Sequence, residues 1–309
     1  MPTLHQPVLY EEVIQALNLQ PNQKVIDCTV GGGGHAFGIL KAIGPHGKLM
    51  GFDADPKAIT VTKDKLNNYS NRVILINSSF SKLQHYVDRY RFKPVAAILL
   101  DLGWSTDQLA DTSRGFSFEK FGQLDLRFNS NAGQSARELL NNETVKQLTW
   151  IFKKFGDEPQ AAAIARAVVK ERQVNKFNTT DDLLRVVARV KGGKRGRLHP
   201  ATKVWQALRI AVNQELEELQ SVLPQAVSVL EPSGRLAVIS FHSGEDSIVK
   251  DYFKKESKNC LCPPVLPVCR CEHRAQLKLI NQKVIKPNLT EQTQNLASRS
   301  ARLRIAEKI

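Results

Sequence analysis

A β-branched apolar run, Lys24 to Val30, passes directly into four consecutive glycines, Gly31 to Gly34, and from there into an apolar stretch beginning at Ala36. A strand that ends in a glycine turn and restarts as a helix is the first half of a β-α-β unit. It commits the chain to a parallel sheet with crossover helices. The same rhythm continues downstream: Lys48 to Asp53, Arg72 to Ile76 and Val95 to Leu100 are predicted as strands two to four. Ala36 to Ile43 is predicted as a helix ended by Gly44-Pro45, and Pro56 to Leu66 as one whose proline suits a first helical turn.

After Leu102 the alternation stops, and the next buried strand is predicted only at Arg235 to Phe241. Between them, Glu143 to Phe155, Glu158 to Gln173 and Asp181 to Val190 carry apolar residues at helical spacing. Lys191 to His199 is a Gly and Arg/Lys loop, and Pro200 to about Leu223 is predicted as one long helix returning to the sheet, with Val204, Leu208, Ala211, Leu216 and Leu219 as its core face. Gln276 to Ile285 and Ala301 to Ala306 form a last predicted strand pair. The expected fold is therefore α/β, with a sheet domain over 1–106 and 210–309 and an all-helical domain, 107–209, inserted after the fourth strand. A length of 309 residues, beyond what one core usually supports, fits that division.

No apolar run approaches the roughly 18 residues of a membrane-spanning helix. Met1 to Val13 carries Glu11 and Glu12 and lacks the order of a secretion signal, so a cytoplasmic protein is expected. Lys and Arg number 44 against 30 Asp and Glu, a formal charge of +14, which favours a polyanionic partner. The charge is concentrated: Arg185, Arg189, Lys191, Lys194, Arg195, Arg197, Lys203 and Arg209 fall in one stretch that contains no acidic residue.

A glycine turn opening a helix lets backbone approach a ligand beside an electropositive helix end. Gly31, Gly33 and Ala36 also satisfy the spacing of a nicotinamide fingerprint, with Asp53 as its ribose ligand. Two features favour S-adenosylmethionine instead. Asp27, at the end of the first strand, can face a cationic amino acid moiety but sits poorly beside a pyrophosphate. Asp53, ending the second strand, can accept both ribose hydroxyls. Asp101 closes the apolar fourth strand and is expected to point into the crevice where open α/β sheets gather ligands. Cys260, Cys262, Cys269 and Cys271 form two close pairs that either bind a structural zinc ion or remain reduced and unligated. Their one-residue gaps are tighter than usual zinc spacing.

Taken in order, these segments resemble the bacterial RsmH (MraW) family of ribosomal RNA cytosine N(4)-methyltransferases over nearly the whole chain. The matching stretches are His5-Gln6-Pro7-Val8-Leu9, the Asp27 to His35 turn, Asp53-Ala54-Asp55-Pro56, Asp101-Leu102-Gly103 with Gln108-Leu109, and Arg114-Gly115-Phe116-Ser117-Phe118. They continue with Leu124-Asp125-Leu126-Arg127, His199-Pro200-Ala201-Thr202, Gln206 to Ile210, Ile239 to Ser243 and Ser298 to Arg304. The chain departs from the family pattern at Trp104, Thr106, Asn129, Gly244 and Leu296.

The resemblance implies a Rossmann-like class I methyltransferase that uses S-adenosylmethionine, held by Gly33, Gly34, His35, Asp53, Phe80, Asp101 and Gln108. The implied substrate is 16S rRNA or the small ribosomal subunit, methylated on the exocyclic amine of a decoding-centre cytidine. On that reading Asp101, or nearby carbonyls, accepts the amine, with His242 on the opposite wall; a hydrogen-bonded structural role for His242 is equally open. Phe116 or Trp104 is expected to stack on a splayed base. Arg114, Arg127, Arg195, Arg197 and Arg209 are expected phosphate ligands. The competing functions are a nicotinamide oxidoreductase and a non-enzymatic rRNA-binding assembly factor.

Overall fold

The computed structural model describes residues 7–192, 199–263 and 269–309, which form two compact units, Met1–Gly103 with Leu216–Ile309 and Trp104–Glu215. The first unit is built on a seven-stranded sheet. Its strands are β1 (Lys24–Asp27), β2 (Lys48–Asp53), β3 (Val73–Asn77), β4 (Val95–Asp101), β5 (Leu230–Ser240), β6 (Leu277–Leu279) and β7 (Arg302–Lys308), in the order β3-β2-β1-β4-β5-β7-β6. Strands β1 to β5 run parallel, and β7 is antiparallel to both β5 and β6.

Side-chain alternation explains why the central strands are apolar throughout. In β1, Ile26 packs with Met50, Ile98, Leu100, Leu236 and Val238 on one face of the sheet, while Val25 packs with Leu49, Ala97, Leu99, Ala237 and Ile239 on the other. Helices cover both faces, so neither parity of residue meets water. The first face is closed by Leu83 and Val87 of Leu83–Arg89, Leu219 and Leu223 of Glu215–Val229, and Val249 and Phe253 of Ser243–Glu256. The second is closed by Val13 and Leu17 of Tyr10–Leu17 and by Ala36, Ile39 and Leu40 of Gly34–Ala42.

The second unit is helical: Thr106–Ala110, Ala136–Asn142, Val145–Gly156, Ala161–Glu171, Thr180–Lys191 and Thr202–Asn213. Ser105, Ser135, Thr144 and Thr179 start four of these with reciprocal capping boxes, through Gln108, Glu138, Gln147 and Asp182. Gly156 lies where a Cβ would come within 2.3 Å of the Lys203 carbonyl, so only glycine lets Val145–Gly156 and Thr202–Asn213 lie this close.

Three expectations change. The long helix predicted from Pro200 is two helices, broken at Gln214, whose φ of 51° is left-handed and ends Thr202–Asn213. β5 starts earlier than Arg235: Leu230 pairs with Val95, Arg235 pairs with Ala97, and Glu231 to Gly234 bulge out between. The predicted strand from Gln276 to Ile285 survives only as Leu277–Leu279 and a single bridge from Ile285 to Leu303. Tyr10–Leu17, Leu83–Arg89 and Ser243–Glu256 were not anticipated as helices. No helix among the described residues is long and apolar enough to cross a membrane.

Candidate functional site

The strand order reverses between β1 and β4, and at such a point the connections diverge to opposite faces and leave a crevice beyond the carboxyl ends. Three carboxylates stand at those ends. Asp27 ends β1, Asp53 ends β2 and Asp101 ends β4. Asp27 is fully buried. Its Oδ1 accepts from the Thr29 amide at 3.1 Å, whereas its Oδ2 has no hydrogen-bond partner among the described residues. Burial pushes this carboxyl up to about 7, against the opposing pull of His35 and the Thr29 amide; the charges of Asp101 and Asp53 add to the rise.

Asp101 is anchored through its own backbone, whose amide donates to Thr29 Oγ1 at 2.7 Å. That bond fixes the end of β4 to the turn after β1. Asp101 Oδ1 is buried without a hydrogen-bond partner, and Oδ2 lies 3.5 Å from His35 Nε2. His35 is itself buried, stacks on Tyr10 with ring centroids 6.2 Å apart, and has no hydrogen-bond partner on either ring nitrogen among the described residues. Buried polar atoms left in this state are rare in folded proteins, and their convergence marks a place where a ligand supplies the missing partners.

The glycine turn shapes the floor. Gly31 and Gly33 have φ of 48° and 72°, a region that other residues enter at a cost. Thr62 Oγ1 donates to the Gly31 carbonyl at 2.7 Å and Lys65 Nζ to that of Gly32 at 3.0 Å, so helix Pro56–Lys65 clamps the turn from behind. On the open side a Cβ at Gly32 would meet nothing within 4 Å. Gly34 has no such latitude, because a Cβ there would strike Pro7 at 2.3 Å. Asp53 accepts from the Gly31 amide at 2.9 Å through Oδ2 and from the Asp55 amide at 2.9 Å through Oδ1. A carboxylate oxygen has more than one lone-pair site, so these amide bonds are compatible with an acceptor role toward hydroxyls. Phe80 sits in the turn after β3, partly buried against the core.

His242 caps the helix that follows β5. Its Nδ1 accepts from the amides of Gly244 at 3.2 Å and Glu245 at 3.4 Å, which in a neutral ring leaves the proton on Nε2, 3.2 Å from Glu245 Oε1. A histidine whose Nδ1 caps a helix has a structural task of its own, while its buried Nε2 makes no hydrogen bond among the described residues.

Apart from the four cysteines, the remaining predicted residues belong to the helical unit. Gln108 is buried, and its Oε1 accepts from the Ser105 amide at 3.0 Å as half of a capping box. Arg114 is buried and donates to the carbonyls of Arg127 at 2.8 Å and Phe128 at 2.5 Å. Arg127 forks onto Asp125, at 2.8 and 2.7 Å. Arg209 forks onto Glu215, at 2.7 and 2.8 Å, and its guanidinium stacks over Trp104 at 4.2 Å. Phe116 is buried and stacked on Phe128, while Trp104 is exposed. The basic stretch is likewise partnered wherever it is described: Arg185 with Asp182, Arg189 with Glu171, Lys191 with Glu158, and Lys203 with the Asp157 carbonyl. Lys194, Arg195 and Arg197 lie outside the described residues.

Sequence reasoning missed Thr29, Tyr10 and Glu245. Thr29 carried a local signal, two residues beyond Asp27 in the same turn, and so did Glu245, three residues beyond His242 as the other half of its capping box; Tyr10 gains its role only through packing.

The donor set is chemically one-sided. Three carboxylates, two of them with a buried unpartnered oxygen, suit a ligand with positive charge and vicinal hydroxyls, and they repel a pyrophosphate. Comparison with known proteins agrees in kind. The profile of the MraW methylase family matches residues 2–309. The chain is 47% identical to a protein from Thermomicrobium roseum named Ribosomal RNA small subunit methyltransferase H, over 99% of this chain and 94% of that one. Proteins of the same name from Dehalococcoides mccartyi and Heliobacterium mobile are 45% and 42% identical, each over 99% of this chain and over 86% and 99% of their own lengths. Among solved structures, an rRNA methylase from Streptococcus thermophilus superposes with a TM-score of 0.43 at 12% identity, over 97% of this chain and 93% of that one.

Proposed function

Because the chain belongs to the MraW methylase family, we propose that it transfers a methyl group from S-adenosylmethionine to the N(4) amine of a cytidine in 16S rRNA. The observation that carries the cofactor half is the fully buried Asp27 carboxyl, with Oδ2 unpartnered beside Asp53 and Asp101. Such a group is costly to bury and makes sense where a cation completes it. The substrate half draws on the names of the relatives, which are small-subunit rRNA methyltransferases. The rival oxidoreductase loses its support here, since a dinucleotide would bring its phosphates against three carboxylates. A retired fold acting only in assembly would have no reason to keep unpartnered oxygens of Asp27 and Asp101 buried.

When bound, S-adenosylmethionine supplies a methyl group already made electrophilic by its sulfonium. The chain's own residues then have three tasks. Asp27 and the open backbone of Gly31 and Gly32 hold the positively charged amino acid end, and Gly33, Gly34 and His35 begin the helix that walls it. Asp53 holds the ribose hydroxyls, with Phe80 beside the adenine. Asp101 orients the acceptor: its unpartnered Oδ1 receives an N–H of the cytosine amine and later eases loss of the proton, a contribution resting on alignment. The Thr29 bond to the Asp101 amide is what keeps that oxygen aimed. His242 acts by capping and thereby fixing the wall after β5. Within the helical unit Gln108 closes the Ser105 turn, and Trp104 is the exposed aromatic available to a base. Arg195 and Arg197 take the phosphate-facing role; Arg114, Phe116, Arg127 and Arg209 build the surface that presents the RNA.

Calorimetry with S-adenosylmethionine against NAD, followed by methyl incorporation into small-subunit RNA and mapping of the modified base, tests the proposal directly. Asp101→Ala should lower the single-turnover rate by about two orders of magnitude or more while cofactor affinity changes little. Equal loss of both would make Asp101 a cofactor ligand, and wild-type values of both would remove it from the site.

A further inference from the structure

The segment joining helix Ser243–Glu256 to β6 takes no part in the site described above, yet it concentrates four of the five cysteines. Its stem is closed by backbone and side-chain bonds: the Gln276 amide donates to the Glu256 carbonyl at 2.8 Å, and the Ala275 amide to Asn259 Oδ1 at 3.2 Å. His273 Nε2 lies 3.3 Å from the Lys255 carbonyl. Between those ties, none of the described residues is a buried hydrophobic, and Cys260, Cys269 and Cys271 are exposed. With no buried hydrophobic among its described residues, the loop shows no packing reason there to gather its thiols.

They are nonetheless gathered. The sulfurs of Cys260, Cys262, Cys269 and Cys271 all lie within 4.8 Å of one another, with Cys260 to Cys269 at 3.4 Å, Cys269 to Cys271 at 3.6 Å and Cys260 to Cys271 at 3.8 Å. A tetrahedron with Zn–S bonds of about 2.3 Å has sulfur–sulfur edges of about 3.8 Å. Disulfides need about 2.05 Å, and none of these pairs comes close to it. The objection from spacing falls away as well, since the 3.6 Å between Cys269 and Cys271 brings both sulfurs of that pair to one side despite the single residue between them. Three amides point at the sulfurs: Leu261 at Cys271 (3.2 Å), Cys262 at Cys260 (3.4 Å) and Arg270 at Cys262 (3.3 Å). Such N–H donors delocalise the charge that four thiolates place on a metal, as the outer partners of metal ligands do.

We propose that Cys260, Cys262, Cys269 and Cys271 bind one zinc ion as a closed, structural tetrathiolate site that staples the loop between helix Ser243–Glu256 and β6. On binding, four Zn–S bonds form and the thiol protons pass to solvent. All four positions are filled by protein, so the ion has no open coordination for water or substrate and is not part of the methyl-transfer chemistry. The metal supplies a cohesion that the described residues of the loop, none of them a buried hydrophobic, do not.

The test uses the full chain, purified reduced, without an affinity tag that binds metal, from zinc-supplemented cells. Elemental analysis should give about one zinc per chain. Cys262→Ser and Cys269→Ser should each lose most of it, while Cys28→Ser, at a buried cysteine outside the cluster, should keep it. Because a serine variant can fail for reasons of folding, wild-type protein stripped by a chelator is titrated with cobalt. One equivalent should restore a thiolate-to-cobalt charge-transfer band with strong tetrahedral d–d absorption, and should protect the loop from proteolysis. Reduced wild-type protein that holds no metal and gives no such spectrum overturns the proposal, as do iron in place of zinc or full zinc content in Cys262→Ser.

Discussion

Replacing Asp27 with asparagine isolates the cost of keeping a carboxylate at the end of β1. An unfolded chain loses the Asp27 proton near the ordinary value of 3.8, whereas the folded chain holds it to about 7. Between those values the folded state binds one more proton, so stability falls as pH rises through the window and then levels off above it. At about 1.4 kcal/mol per tenfold change in proton affinity, the gap amounts to about 4 kcal/mol. Asparagine keeps an oxygen for the Thr29 amide and cannot ionise. Unfolding by urea at a series of pH values from 5 to 8 should therefore show the variant gaining on the wild type as pH rises, with most of about 3 kcal/mol appearing across that range. Other titrating groups are common to both proteins and cancel in the difference. The same substitution should weaken S-adenosylmethionine binding and abolish its pH dependence, because a cation bound to wild type below pH 7 must expel the Asp27 proton, which calorimetry in buffers of different ionisation enthalpy would register. A stability difference that stays constant from pH 5 to 8 refutes the argument, since it would mean that Asp27 is already ionised in the folded protein at the lower end.

Three further outcomes are expected. Arg195→Ala with Arg197→Ala should weaken RNA binding and flatten its dependence on salt by roughly 0.9 in log–log slope per lost phosphate contact, read from filter binding at several salt concentrations; an unchanged slope takes these residues out of the RNA footprint. Gly51→Ala places a Cβ 2.5 Å from Val30 and 3.0 Å from Leu75 in the middle of β2, and should lower stability by about 1–3 kcal/mol in denaturant titration, because both neighbours sit in a packed layer. Gln214→Gly should raise stability by up to about 1 kcal/mol by relieving the left-handed backbone between two helices, whereas Gln214→Val should lower it; thermal melting of both distinguishes this from a neutral loop.

The sheet and the ligand-bearing strand ends are legible in the order of residues. Strands such as Val95 to Leu100 are apolar at every position because both of their faces are buried, and a period-one apolar run bounded by glycine or aspartate leaves little else to form. The glycine turn and the carboxylates Asp27, Asp53 and Asp101 were legible for the same reason: position at a strand end is a local property, and charge there is visible in the residue names. How each polar atom is used depends instead on contacts between segments remote in sequence. Nothing local distinguishes Asp27, with one oxygen unpartnered, from Asp53, with both oxygens bonded to amides; that difference comes from which strand end meets the turn. Arg114 and Arg209 read as free cations until a fold brings carbonyls at Phe128 and Arg127 to one and Glu215 to the other. The break at Gln214 was hidden because helical spacing persists across it, and a single left-handed residue leaves no mark on periodicity. The four cysteines divide in the same way: their spacing gives two pairs, but only closure of the stem at Glu256 and Gln276 brings the pairs within bonding range of one ion, since distance between segments is set by contacts that are remote in sequence.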